Sequence, residues 1–146
     1  MKVVEILQKK GNAVYSVRPE NTVYDAIVKM AEENIGALLV MDDSRLEGII
    51  SEKDYRSKVV LKGRTSKTTS VSEIMEDQVI CVRPTDTIQL CMQLMTEKKV
   101  RHLPVIEDGD VVGVVSIGDV VKRVIEDQKV EIDSLRNFIN GGGYPG

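Results

Sequence analysis

The chain has 146 residues, of which 42% are hydrophobic and 29% charged, and its formal net charge is −3 at pH 7. These values are typical of a globular protein with one domain or two small fused units. The charge disfavours nucleic acid as a partner, and no apolar segment approaches the ~20 residues of a membrane-spanning helix. One histidine and two cysteines are too few for a closed zinc site, and a chain this long does not need disulfides. We therefore expect a cytoplasmic protein without a metal requirement, or an organellar-matrix protein if a presequence has been removed.

An internal duplication organises the sequence. The segment from Val14 (VYSVRPENTV) matches the segment from Val79 (VICVRPTDTI), and the same spacing continues without a gap to Val60. A single unit of this length has a small hydrophobic core and would be only marginally stable alone. We therefore expect the two copies to pack against each other through their sheets, with two related clefts between them.

Both copies predict the same order of elements, β-α-β-β-α, after a short leading helix. An Arg-Pro pair ends the first strand, and acidic turns connect the next two strands. Thr22 forms a capping box with Asp25 at the start of the first helix, whereas Thr87 provides the cap alone. The expected helices are 2–9, 22–33, 71–76 and 87–98, the expected strands are 14–17, 37–41, 46–51, 79–82, 102–106 and 111–116, and a second helix follows each last strand.

These elements predict an α/β (α+β) protein of two pseudo-symmetric repeats packed through their sheets. We assign residues 1–62, including the leading helix, to the first repeat and residues 71–126 to the second. The polar segment 63–70 is rich in Ser and Thr and is expected to be a linker. Residues 127–146 are expected to complete a helix that runs to about Asn140 and to end in a frayed tail.

The motif Gly-x-x-Ser-x-x-Asp occurs in both copies, at 48–54 (GIISEKD) and 113–119 (GVVSIGD), and it has two interpretations. In the first, the serine caps the next helix and the aspartate favours its positive end. In the second, the helix N-terminus presents N–H groups to a phosphate and the carboxylate accepts hydrogen bonds from ribose hydroxyls. The glycine would then let a ligand ring approach the strand. Recurrence of the motif at the repeat spacing favours a nucleotide site.

A second candidate feature is the segment 99–105 (KVRHLPV). Its His102 is the only histidine and has no recognisable nucleophile beside it, so we expect no catalytic residue. Arg101 suits either a phosphate or a surface acid. Lys53, inside the first motif, suits a phosphate, but the basic stretch around it is typical of a solvated helix face. The first copy has NIGA at 34–37 in the corresponding place, so the two clefts are predicted to differ.

Together these residues resemble the tandem CBS (cystathionine-β-synthase) domain pair, or Bateman module. The resemblance rests on Val-Arg-Pro with the following Thr, on RHLPV at 101–105 and on both Gly-x-x-Ser-x-x-Asp motifs, and it covers residues 1–126. No catalytic domain is attached, so the chain is similar to a stand-alone CBS-pair protein. The resemblance implies a non-catalytic regulatory module that binds adenine nucleotides: AMP, ADP, ATP or NAD(H), with S-adenosylmethionine less favoured.

The resemblance also implies two sites, each of which draws on both repeats. In one site, Asp119 holds the ribose and Ser116 the phosphate. Its adenine is framed by Ile35, Gly36 and Ala37. The other site uses the first motif with the start of the RHLPV segment opposite, and its residues are Ser51, Lys53, Asp54, Val100, Arg101, His102 and Pro104, with Arg101 as the expected phosphate ligand. The first repeat lacks the Arg-His pair and the proline, so equal occupancy of the two sites is not expected.

The implied partners are a nucleotide, a second copy of the chain in a homodimer, and a regulated protein that the sequence does not name. The apolar positions Val59, Val60, Val124 and Ile125 are expected to contribute to the homodimer, and the long C-terminal helix to add to it. An alternative function is a structural dimerisation or docking module. In that case the clefts are vestigial, and the motif serines and aspartates are helix caps only.

Overall fold

The computed structural model describes residues 1–139, and it has the predicted α/β class of fold. Helices and strands alternate in the expected order, with a 3₁₀ turn at Val60–Lys62. The elements are α1 (Val3–Lys10), β1 (Ser16–Val17), α2 (Val23–Glu33), β2 (Ala37–Asp42), β3 (Arg45–Ser51), α3 (Glu52–Lys58), α4 (Val71–Ile74), α5 (Ile88–Lys98), β4 (His102–Glu107), β5 (Asp110–Ser116) and α6 (Ile117–Ile139).

Each repeat contains one small sheet built around a hairpin. In the first repeat, β1 is parallel to β2, and β2 is antiparallel to β3. In the second repeat, β4 is antiparallel to β5. The register places Ala37 opposite Ser51 and His102 opposite Ser116. The start of β2 therefore lies beside the serine of the first motif, and the start of β4 lies beside the serine of the second.

The first strand of each repeat is shorter than predicted. β1 keeps two residues, and the strand predicted at 79–82 is reduced to a single bridge at Val82. In the first repeat, the N–H of Leu39 donates to the carbonyl oxygen of Tyr15 at 3.2 Å. The position of Leu39 is occupied by Pro104 in the second repeat, and proline has no N–H to donate. The equivalent hydrogen bond between strands cannot form in the second repeat, so the prediction of a strand at 79–82 is wrong.

The first helix of each repeat begins and ends as the sequence predicts. Thr22 and Asp25 form the expected capping box, with the N–H of Asp25 donating to Thr22 Oγ1 at 3.1 Å. The hydroxyl of Thr87 accepts one backbone N–H without a reciprocal partner. α2 and α5 end at Asn34 and Lys99, both in the left-handed region with φ of 53° and 55°. These caps fix where the chain leaves each helix.

The two short leading helices are exchanged between the repeats. α1 precedes the first repeat in the sequence, yet its Val3 and Ile6 are buried in the core of the second. α4 precedes the second repeat, and its Val71 and Ile74 are buried in the core of the first. The sequence-based grouping of α1 with residues 1–62 follows chain order and not packing. Because each core is completed by a helix from the far side of the chain, the exchange ties the two repeats together.

Two strand glycines make room for the exchanged helices. A Cβ on Gly48 would lie 2.8 Å from the carbonyl oxygen of Glu76 and 2.8 Å from Met75 Sδ, just after α4. A Cβ on Gly113 would lie 2.7 Å from Leu7 Cδ2 on α1. We expected these glycines to let a ligand ring approach the strand, and that expectation is wrong. The space beside them is filled by the protein itself.

The linker segment 63–70 packs on the start of α2. The N–H of Val23 donates to the carbonyl oxygen of Thr69 at 2.9 Å, and the N–H of Tyr24 donates to that of Ser66 at 3.0 Å. These two N–H groups lie in the first helical turn and have no partner within the helix. Thr69 is buried despite its polar side chain. The linker therefore holds α4 in position against the first repeat.

The final helix, α6, is long, as the sequence predicts. Val120 is buried in the core of the second repeat, and Val124 packs against that core. Beyond this point the helix leaves the body of the protein, and every residue from 128 to 139 is exposed. The predicted helix end near Asn140 and the tail 141–146 lie outside the described residues.

The apolar positions expected at a dimer interface are not equivalent. Val59 is buried in the core of the first repeat, so its expected role in a dimer is wrong. Val60 lies next to it but is half exposed. Ile125 is exposed on α6, and Val124 faces the core.

The glycine packing predicts unequal effects of two matched substitutions. Gly48→Ala places a methyl group against a backbone oxygen that cannot move freely, and we expect it to lower the free energy of unfolding by about 1–3 kcal/mol. Gly113→Ala meets only the ends of the Leu7 side chain, which can change rotamer, and we expect a loss below about 1 kcal/mol. Urea unfolding of both variants measures the difference. Equal losses, or a larger loss for Gly113→Ala, would contradict this account of the helix exchange.

Candidate functional site

A cleft of about 470 Å³ lies between the two repeats. It brings Ile35, Gly36 and Ala37 of the first repeat together with Ser116 and Asp119 of the second, which is the grouping expected for one of the two sites. The residues that line it are Lys10, Ala13, Tyr15, Asn34, Ile35, Gly36, Ala37, Leu38, Leu39, Ile49, His102, Val114, Ser116 and Asp119.

Gly36 and His102 meet at the centre of this cleft. A Cβ on Gly36 would lie 3.8 Å from His102 Cε1 and 3.9 Å from Glu52 Oε2. The carbonyl oxygen of Gly36 accepts a hydrogen bond from the N–H of Glu52 at 3.0 Å. The left-handed conformation of Asn34 directs the chain into this position. The loop before β2 is therefore fixed at both ends where it faces the second repeat.

Asp119 lies in the first turn of α6 and forms a capping box with Ser116. The N–H of Ser116 donates to Asp119 Oδ2 at 2.9 Å, and the N–H of Asp119 donates to Ser116 Oγ at 3.2 Å. Lys10 Nζ also donates to Oδ2, at 2.7 Å. No group within residues 1–139 donates to Oδ1. Asp119 therefore keeps one unused acceptor oxygen on a side chain that lines the cleft.

The charge of Asp119 is stabilised despite partial burial. Burial raises the pKa of this carboxyl, but the hydrogen bonds from Lys10 and from the backbone of Ser116 outweigh it, and the net effect lowers the pKa. Asp119 is therefore ionised at neutral pH. An ionised carboxylate can only accept hydrogen bonds, so the group that fits its free oxygen is a hydroxyl or amine donor.

Asp54, the equivalent residue of the first repeat, has no free oxygen. Its Oδ2 accepts hydrogen bonds from the N–H and the hydroxyl of Ser51 at 2.9 and 3.0 Å. Its Oδ1 forms an ion pair with Lys58 Nζ at 3.1 Å. Lys58 in turn donates to the carbonyl oxygen of Ile74 in α4 at 2.9 Å. The two motifs are alike in sequence, but Asp54 is satisfied by the protein and Asp119 is not.

Lys10 is the charged residue of the cleft that sequence analysis missed. It lies at the end of α1, and its Nζ donates to Asp119 Oδ2 and to the carbonyl oxygen of Val114 at 2.8 Å. Nothing in the sequence links it to Asp119, which is more than a hundred residues away. The exchange of α1 into the second repeat creates this contact. Lys10 is the only cation that lines the cleft among the described residues.

Much of the remaining lining of the cleft is apolar. Ile35, Leu39, Ile49 and Val114 supply aliphatic surface, and Tyr15 adds an exposed aromatic ring. Sequence analysis placed Ile35 in the cleft but not the other four. The strand positions could have been found from the pairing of β2 with β3, since Leu39 and Ile49 are directly opposite.

Four of the predicted residues belong to the site expected around Asp54. Lys53 is exposed on α3, and Arg101 is exposed at the turn before β4. Val100 packs against the core of the second repeat, and Pro104 is buried within β4. None of these four lines the cleft that contains Asp119.

His102 was expected beside Asp54, but the structure places it in the Asp119 cleft. Burial lowers the pKa of its imidazole, with a further decrease from Lys10 and Arg101 and a partial increase from Asp119 and Glu52. His102 is therefore neutral at pH 7. A neutral imidazole can donate one hydrogen bond and accept another, so it suits a polar ligand without requiring a charged one.

A cationic groove of about 370 Å³ lies next to the cleft and shares Lys10 and Asp119 with it. It runs between α1 and α6 and is lined by Ile6, Lys9, Lys10, Asp119, Lys122, Arg123 and Glu126. Lys9 pairs with Glu126 at 3.0 Å, and Arg123 pairs with Glu5 at 3.3 Å. Lys122 is close enough to Glu126 for their charges to attract, but Glu126 forms its ion pair with Lys9. The cationic side chains outnumber the acidic ones along this groove.

The other reactive side chains form no further site within the described part of the chain. Cys91 is buried, and burial together with the nearby charge of Asp86 raises the pKa of its thiol to about 11. It therefore behaves as a small apolar residue. No group of three or more His, Cys, Asp or Glu side chains within residues 1–139 is arranged to hold a metal ion. Over the same range, every helix is too short or too polar to pass through a lipid bilayer.

The sequence profile of the CBS domain matches residues 3–60 and 71–126. The chain therefore belongs to the CBS-domain family, as the resemblance of the motifs predicted. The two matched segments correspond to the two repeats of the fold, each with its leading helix.

Individual relatives agree with this family assignment. The mitochondrial CBS domain-containing protein CBSX3 of Arabidopsis thaliana is 44% identical over 149 residues, which covers 96% of this chain and 72% of that protein. A CBS-domain protein of Burkholderia ambifaria, described as a candidate signal-transduction protein, is 50% identical with a TM-score of 0.86 and covers 88% of this chain and 96% of that one. A CBS domain protein of Pyrobaculum aerophilum was solved in complex with AMP; it is 22% identical with a TM-score of 0.73, over 82% of this chain and 89% of that one.

The position of His102 predicts a specific dependence of stability on pH. Its pKa is lower in the folded protein than the value of about 6.5 in an unfolded chain, so the unfolded chain binds the proton first as pH falls. The free energy of unfolding should therefore decrease between about pH 7 and pH 5. His102→Gln should remove this part of the decrease, and His102 is the only histidine in the chain. Urea unfolding of both proteins across this range tests it, and parallel profiles would contradict the assignment.

Proposed function

We propose that this protein is a non-catalytic regulatory module that binds an adenine nucleotide in the cleft lined by Asp119. The observation that carries the proposal is the unused Oδ1 of an ionised Asp119, next to an apolar wall and a single lysine. This combination of one acceptor, one cation and an apolar surface fits a ribose, a phosphate and a base in that order.

The base would occupy the apolar side of the cleft. Ile35, Leu39 and Ile49 offer flat aliphatic surface, and Tyr15 offers a ring for stacking. The volume of about 470 Å³ is within the range of about 300–1,000 Å³ that is typical of small-molecule sites. The backbone of Gly36, which has no side chain, would lie beside the base.

The ribose hydroxyls would donate to Asp119 Oδ1, and the phosphate would lie near Lys10 and Ser116. Lys10 is better placed for the phosphate than Arg101, because it lines the cleft and Arg101 does not. The cationic groove continues from Lys10 towards Lys122, so further phosphates would also meet positive charge. The AMP complex of the Pyrobaculum aerophilum protein supports an adenine nucleotide as the class of ligand.

We propose one working site in each chain. At the first motif, Ser51 and Lys58 occupy both oxygens of Asp54. A ribose could bind there only if Lys58 moved away and gave up its bond to α4. These partly buried contacts of Lys58 would have to be replaced by ligand contacts, which disfavours binding at that position.

Signalling would follow from the position of the cleft between the repeats. A ligand that contacts both repeats favours the arrangement of the repeats that it binds more tightly. The shift in the equilibrium between two arrangements cannot exceed the difference in the ligand's binding free energy for them. A regulated protein would respond to this change in packing, and so would a second copy of this chain if the module is a homodimer.

Substitution of the two motif aspartates tests this proposal. We would measure thermal shift and calorimetric binding with AMP, ADP, ATP, NAD⁺, NADH and S-adenosylmethionine, and with GTP as a control. A bound ligand at one hundred times its dissociation constant should stabilise the chain by about 2.7 kcal/mol. Asp119→Ala should abolish this response. Asp54→Ala is the matched control, since it removes the same type of helix cap and should cost about 0.5–2 kcal/mol without changing the response.

Two results would overturn the proposal. Loss of binding in Asp54→Ala with retention in Asp119→Ala would place the working site at the other motif. No response to any nucleotide from a folded wild-type chain would favour the alternative, a structural dimerisation or docking module in which both motifs are helix caps only. Lys10→Met separates the phosphate contact from the ribose contact, because it should weaken the binding of nucleotides more than the binding of adenosine.

A further inference from the structure

The exposed part of α6 carries a regular apolar seam. Its positions alternate at spacings of four and three residues: Val121, Ile125, Gln128, Ile132, Leu135 and Ile139. This is the heptad spacing of a coiled coil, with isoleucine at all three a positions and Val, Gln and Leu at the d positions. Every apolar member of the seam is about half exposed or more. The seam extends over about 27 Å of helix at 1.5 Å per residue.

The protruding half of α6 lacks the packing that keeps a helix stable. Residues 128 to 139 are all exposed, and an isolated helix of this length is marginal in water. The first half is anchored by Val120 in the core and by ion pairs of Arg123 with Glu5 and of Lys9 with Glu126. Anchoring removes the cost of starting the helix, but it does not cover the exposed isoleucines. A partner surface must bury them.

The charges beside the seam favour a second copy of the same helix in parallel orientation. Glu131 lies at a g position, and Arg136 lies at the following e position. In a parallel pair these two residues meet across the interface and attract each other, once on each side. In an antiparallel pair, e positions face e positions, and here they are all cationic: Lys122, Lys129 and Arg136. Isoleucine at the a positions with leucine at the d position 135 also matches the preference of two parallel strands.

We infer that two copies of this chain associate through a parallel, in-register coiled coil formed by α6 from Val121 to Ile139. The interface is isologous, because each chain presents the same seam. Gln128 is the one polar residue in the seam, and in an in-register pair the two Gln128 side chains face each other and can form hydrogen bonds. The inference does not depend on nucleotide binding.

Disruption of the seam tests the interface in the full chain. Sedimentation equilibrium of wild type should show a dimer. The double variant Ile132→Glu, Leu135→Glu should raise its dissociation constant at least about a hundredfold, since four buried side chains become charged. Val130→Glu is the matched control. Val130 is 66% exposed, more than Ile132 at 49%, but it lies off the seam at an f position. Val130→Glu should leave the dissociation constant of the dimer unchanged.

The orientation is tested by a disulfide. Leu135→Cys in a Cys81→Ser background should cross-link to itself under mild oxidation, because d positions of a parallel pair are adjacent. Asn137→Cys, at an f position, should not. Three results would overturn the inference: a monomeric wild-type chain, a dimer that the double glutamate variant leaves intact, or an absence of the Leu135→Cys cross-link in a chain that is dimeric.

Discussion

The exchange of the two leading helices is the constraint on which the rest of the structure depends. Val3 and Ile6 complete the core of the second repeat, and Val71 and Ile74 complete that of the first. Each repeat alone would expose the apolar groove that the exchanged helix fills, so the repeats form one cooperative unit. The glycines at 48 and 113 belong to the same arrangement, because a side chain at 48 would meet the backbone after α4 and one at 113 would meet Leu7 of α1.

The exchange also makes the two clefts different. At the second repeat, α1 is long enough for Lys10 to reach the carbonyl oxygen of Val114 and the carboxylate of Asp119. At the first repeat, α4 has only four residues, and the carbonyl oxygen of Ile49 is bonded instead by the backbone N–H of Glu76. Asp54 Oδ1 therefore forms its ion pair with Lys58. Two similar motifs thus end with one free carboxylate oxygen and one fully satisfied carboxylate.

The nucleotide site that we propose and the apolar seam share one helix. Asp119 lies in the first turn of α6, and the seam begins two residues later at Val121. The same helix contacts α1 through Arg123 and Glu5. A ligand that shifted the contact between Lys10 and Asp119 would therefore act on the helix that carries the proposed interface. Under both proposals, ligand binding and the assembly of two chains would be physically connected through α6.

The sequence by itself determined the duplication, the fold class, the helix caps at Thr22 and Thr87, and the grouping of the loop at 35–37 with Ser116 and Asp119. The first three follow from local signals and from the repeat spacing, and the grouping follows from the resemblance to the CBS-domain pair. Only the tertiary structure decided the place of Lys10, the role of the strand glycines, the position of His102 and the loss of the strand before Pro104. Each depends on which segments meet in space, and the helix exchange brings together residues that are far apart in the chain. A repeat pattern shows that two units are alike, but the packing at their junction determines how they differ.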